Sequence, residues 1–136
     1  MADLSITAAN CVPVAPALIG YGTAGATITA GQAIYLEASS NTWKLADNNS
    51  ATAEARAATA IALNGAASGQ PLGYLSSGSV TLGATMTAGV VYYLSATAGG
   101  ICPVADLTSG QYPCAVGIAT STTVLKLGFN ASGVAL

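Results

Sequence analysis

Ala26-Thr27-Ile28-Thr29-Ala30-Gly31-Gln32-Ala33-Ile34-Tyr35-Leu36 returns 58 positions later as Ala84-Thr85-Met86-Thr87-Ala88-Gly89-Val90-Val91-Tyr92-Tyr93-Leu94, with seven of eleven positions identical. Each copy sets two β-branched threonines on one face of an extended segment and one apolar side chain on the other. Ala-Gly then supplies a tight turn or a close backbone approach. A Tyr or Ile-Tyr step and a Leu follow, as in a pleated strand. A turn and an aspartate come after each copy, at Asp47 and Asp106. Ala60-Ile61-Ala62-Leu63 is echoed by Gly117-Ile118-Ala119-Thr120 at a slightly different offset. The pattern describes a β unit used twice.

Outward from the repeat, the chain is written in short apolar segments separated by turns. Strands are expected at 33–36, 43–45, 60–63, 71–75, 80–82, 90–94, 115–119 and 124–129. In the last, Val124, Lys126 and Gly128 share one face, and Leu125, Leu127 and Phe129 share the other. The alanine-rich stretch 51–62 lacks Leu and Ile at helical spacing, so a loop or one or two turns is expected, then a strand. The first 25 residues read as irregular, because Asn10, Pro13 and Pro16 interrupt them. A short strand or an arm is expected around Leu18 to Tyr21. The fold expected is all-β: a small β-barrel or β-sandwich-like domain with an extended N-terminal arm. It divides into an arm and irregular segment at 1–25 and a single β domain at 26–136, with related units at about 26–64 and 84–120.

Composition bounds the function. The chain has 136 residues, of which 29 Ala, 16 Gly, 15 Thr and 12 Ser make 53%. Lys plus Arg is 3, Asp plus Glu is 5, and histidine is absent. Three dispersed basic residues (Lys44, Arg56 and Lys126) do not make a phosphate-neutralising surface, so nucleic acid is not an expected partner. Histidine acid–base catalysis and His-containing zinc sites are excluded. Residues 57–105 carry no charge, but glycines, prolines and hydroxyls break them well short of a spanning helix. No basic and apolar leader opens the chain, and no membrane partner is expected.

The candidate sites are few. Cys11, Cys102 and Cys114 are an odd number with no CxxC pair, and read as buried thiols in a reducing compartment. Cys102 and Cys114 could face each other across a hairpin. Asp47 and Asp106 read as Asx turns rather than calcium ligands. Serine has no His base, and no motif supports a Ser–Lys pair. Trp43 with Tyr35, or one of Tyr92 and Tyr93, could stack on a sugar. Core or oligomer-interface packing is the stronger expectation for Tyr35, Trp43, Tyr93 and Phe129. With eight charged residues, a surface partly covered by neighbours is expected, as in an oligomer or a coat on a larger assembly.

Met1 to Asn10, Thr23 to Leu36, Val116-Gly117-Ile118-Ala119 and the ending Leu125-Lys126-Leu127-Gly128 resemble the capsid cement or decoration proteins of tailed bacteriophages. The resemblance spans nearly the whole chain, on motifs of low complexity. The segment from Cys11 to Ala17, with its two prolines, departs from the pattern. The resemblance implies a small all-β protein on the virion head surface, made in the host cytoplasm. It would bind major capsid protein, commonly as a homotrimer, and reinforce the shell without enzymatic activity or cofactor. It also implies an N-terminal arm contacting the capsid, here residues 2–10 with Leu4, Ser5, Ile6 and Thr7 as the contacting set. Leu4 and Ile6 are two apart and share a face, as strand addition to a partner sheet requires. The rival readings are a phage tail or fibre structural protein and a carbohydrate-binding β module using Trp43.

Overall fold

The computed structural model describes residues 3–136. They form a curled antiparallel sheet of nine strands, an all-β, half-barrel architecture. The strands are β1 (Val12–Thr23), β2 (Ala33–Glu37), β3 (Thr42–Leu45), β4 (Ala60–Ala62), β5 (Pro71–Thr81), β6 (Val91–Leu94), β7 (Ile101–Pro103), β8 (Cys114–Ala119) and β9 (Val124–Ala131). Short 3-10 turns cover Ala8–Asn10, Ala53–Arg56 and Val104–Asp106.

The order across the sheet is β3-β2-β4-β5-β9-β8-β6-β7, with β1 on the free side of β5. Read outward from the middle, the two halves have the same plan. Tyr35 pairs with Lys44, and Tyr93 with Cys102. Ala33 pairs with Ile61, and Val91 with Ile118. Gly31 N donates to Ala62 O at 2.8 Å, and Gly89 N to Ala119 O at 2.7 Å. Gly31 and Gly89 hold φ of +93° and +85°. Each is the third residue of a turn closed by Gln32 N to Thr29 O or by Val90 N to Thr87 O, a position that demands positive φ and therefore glycine. Strand β5 serves both halves, as the last strand of the first and the first strand of the second.

Two cores follow from this plan. A smaller one gathers Ala24, Ile28, Ile34, Trp43, Ala60, Ala62, Ala66 and Leu72, inside the curl that β1 closes by reaching β3 at the Ala24–Trp43 bridge. A larger one joins Ala33, Tyr35, Ile61 and Leu75 of the first half to Tyr92, Leu94, Val116 and Leu125 of the second. Alternation in β2 therefore points Ile34 to one core and Tyr35 to the other. Alanine at 24, 33, 60 and 62, each fully buried, lets the facing walls of the curl pack closely.

The first 25 residues differ from their expected irregularity. Residues 12–23 form the longest strand, paired with β5 from Val12↔Thr81 to Thr23↔Pro71. Its register shifts between Val14 and Ala17, which accommodates Pro16, and an edge position tolerates prolines. The two segments expected at 71–75 and 80–82 are one strand, β5. Ser76 to Ser79, which read as a turn, are held extended by β1. The three-residue strand β7 carried no sequence signal strong enough to expect it.

Candidate functional site

The candidate site is the outer edge of β1 and the groove beside it. Among the described residues, β1 pairs along its length with β5 alone. Its other edge faces solvent as far as Tyr21 and then approaches β3, where Ala24 bridges Trp43. Tyr21 is 82% exposed, Leu18 63% and Val12 52%, and Ile19 is exposed too. The strand VPVAPALIGYGT contains no charged residue. A long, apolar, uncharged edge is a template for pairing with another chain, and natural monomers normally blunt such edges. The two prolines blunt its first part, leaving Ala17 to Tyr21 as the open stretch. The sequence did carry a signal for this surface, the uncharged run Ala17-Leu18-Ile19-Gly20-Tyr21, but the flanking prolines read as breakers.

At the Val12 end lies a groove of about 620 Å³ lined by Ser5, Thr7, Asn10, Thr81, Thr85 and Thr123, among others. Its polar groups are hydroxyls and one amide, all neutral. Such a surface hydrogen-bonds a partner without electrostatic steering.

The residues expected to contact a capsid are placed as follows. Ala2 lies outside the described residues. Leu4 and Ile6 are half-buried and pack against the larger core. Ser5 and Thr7 are exposed, on the outer side of the segment. Leu4 N donates to Ile101 O and Thr7 N to Gly83 O, both at 2.8 Å. The arm is thus laid along its own domain, with the expected alternation directed inward.

Tyr35 and Trp43 are core residues, 6% and 7% exposed. Phe129 is half-buried against the larger core. Tyr93 is half-buried in β6. The indole of Trp43 is covered by Gly22 and Tyr74, so no open stacking platform exists at Trp43.

Cys11, Cys102 and Cys114 are buried and free. Burial pushes the Cys11 thiol up to about 11. It pushes Cys102 up to about 12, with Asp3 and Asp106 adding to the shift. Asp3, Cys102 and Asp106 bring one donor atom each within 4.8 Å of one another. Asp3 Oδ1 accepts from Ser95 Oγ at 2.6 Å, and a thiol held protonated is a poor ligand. Asp47 makes the expected Asx turn, accepting from Asn49 N at 3.1 Å. Glu54 and Arg56 take separate partners. Glu54 accepts from Ala38 N, whereas Arg56 donates to Ser50 O and lies 3.9 Å over the Tyr112 ring. No helix among the described residues is long and apolar enough to cross a membrane.

No family model, curated protein or solved structure matches the chain.

Proposed function

We propose that this chain is a structural protein that decorates and stabilises the outer surface of a phage head, binding between major capsid proteins. The observation that supports it is the uncharged β1 edge, with Leu18, Ile19 and Tyr21 exposed along its proline-free stretch. Strand addition along this edge recruits backbone hydrogen bonds and alternating side chains, without charge. The sequence resemblance supplies the phage-head setting and the expectation of trimers. Ser5 and Thr7 extend the same surface. Repetition over many sites lets a weak contact hold a shell together. The tail or fibre reading shares the edge but not the copy number.

Copy number in purified particles tests the reading. Densitometry against the major shell protein should give about one chain per shell subunit or a simple fraction of it. A few copies per particle would move the chain to a tail or fibre, and absence from particles would overturn the proposal. Ile19→Lys, at an exposed position, should keep the fold and lose the shell, since an edge charge opposes pairing.

A further inference from the structure

The two halves close their seams differently. In the first half, Gly25 N donates directly to Trp43 O at 2.7 Å. The residues 58 positions on are Gly83 and Ile101. There the carbonyls of Gly83 and Ile101 accept from Thr7 N and Leu4 N. Residues 4–7 therefore occupy, as an inserted segment, a seam that the first half closes with its own backbone.

We propose that residues 3–7 are an exchangeable donor strand, and that in the oligomer each copy's segment closes the Gly83–Ile101 seam of a second copy. The seam is shaped for this segment. A Cβ on Gly83 would stand 2.5 Å from Thr7 O, one on Gly31 2.5 Å from Ile6 Cγ2, and one on Gly100 2.9 Å from Asp3 Oδ2. Three glycines thus make room for a backbone, an isoleucine and a carboxylate in succession. Ser95 Oγ donates to that carboxylate. Leu4 and Ile6 complete the larger core. A groove fitted so closely to one sequence takes that sequence best, and every copy of the chain carries it.

The attachment permits the transfer. Ala8–Asn10 is a single 3-10 turn with no buried residue and no side-chain cap. Beyond it, Cys11 is buried and anchors β1. Opened out, residues 8–11 span about 13 Å. Every seam contact is remade when the segment of a second copy arrives, so only the turn is lost, which is the usual economy of strand exchange. A head-to-tail transfer around a ring closes into a symmetric oligomer. The inference concerns copies of this chain alone and stands whether or not the shell is the partner.

The test uses the full chain with Ser5→Cys and Thr85→Cys, two exposed positions lining one groove, each carrying a spin label. The three native thiols are buried and stay unlabelled. Doubly labelled chain is mixed with about tenfold unlabelled chain, warmed below its unfolding transition, and the oligomer fraction collected. Exchange predicts that the short intramolecular distance falls to about a tenth of its amplitude in that fraction. Full retention of the short distance in the oligomer, or a chain that stays monomeric at all concentrations, overturns the proposal. Deleting Ala9 removes the 3-10 turn and strains the hinge, so the exchanged fraction should rise. An Ala9-deleted monomer with Leu4 and Thr7 amides still protected from hydrogen exchange would also overturn it.

Discussion

The indole of Trp43 lies against the phenol ring of Tyr74, with centroids 4.3 Å apart and planes tilted by 40°. Both rings sit beneath the two glycines of β1. A Cβ on Gly22 would stand 2.8 Å from Trp43 Nε1, and one on Gly20 would collide with the Tyr74 ring. Strand β1 therefore closes the smaller core because it has no side chains at these two positions. The same contact that seals the core holds the exposed β1 edge in place.

Gly22→Ala should destabilise the chain by about 1–3 kcal/mol, as overpacking against a wedged ring does. Trp43 is the one tryptophan, so its fluorescence reports the loss directly in a urea titration. An unchanged midpoint would show that the indole moves aside freely.

Gly31 and Gly89 allow a paired comparison. Both hold positive φ, so alanine strains the backbone at either, by about 1–3 kcal/mol. A Cβ at Gly89 meets nothing within 4 Å, whereas one at Gly31 strikes Ile6. Gly31→Ala should therefore cost more than Gly89→Ala, and the excess should shrink in an Ile6→Ala background. Thermal denaturation of the four variants measures that coupling.

Asn48 ties the two halves together. It is fully buried, and its Nδ2 donates to Leu94 O at 2.8 Å. Its backbone donates to Ser95 O and accepts from Tyr112 N. Asn48→Ala leaves the Leu94 carbonyl only the weak Cys102 thiol donor at 4.0 Å and should cost about 1–3 kcal/mol. Asn48→Asp should cost more, because it removes the donor and buries a charge. Urea midpoints should fall in that order with the slope unchanged.

The buried thiols set an alkaline limit on stability. Their ordinary value is 9.0, and burial raises Cys11 to about 11 and Cys102 to about 12. Above pH 9 the unfolded chain loses thiol protons that the folded chain keeps. The unfolded state then binds fewer protons, so stability falls as pH rises. Stability should be flat with respect to these groups below pH 9 and decline from there toward pH 12. A thiol reagent at pH 8 should find no reactive group in the native chain and three after denaturation, matching the three free cysteines.

Much of the fold was written locally. The Thr-x-Thr-Ala-Gly repeat marked two equivalent turns, and alternation in Val124 to Phe129 marked β9 and its inward face. The candidate surface was legible only in part. Leu4 and Ile6 share a face by their spacing, but periodicity carries no information about whether that face meets a foreign sheet or the chain's own core. Trp43 was identified as a packing residue, while its partner Tyr74 and its glycine cover lie 31 and 21 positions away.

By itself, then, the sequence determined the all-β class, the doubled unit and its glycine turns, because those depend on side-chain alternation and backbone freedom within a few residues. Its scarcity of charge and lack of histidine bounded the chemistry. Tertiary structure decided the rest. Val12 to Thr23 is a strand despite two prolines because only one edge is paired, with β5 bridging its breaks. Strand β5 runs unbroken through its serines because neighbours on both sides hold it extended. The N-terminal segment lies in the second seam because Gly83 and Ile101 offer it two carbonyls. Each of these outcomes is a contact between residues distant in sequence, and local pattern cannot express it.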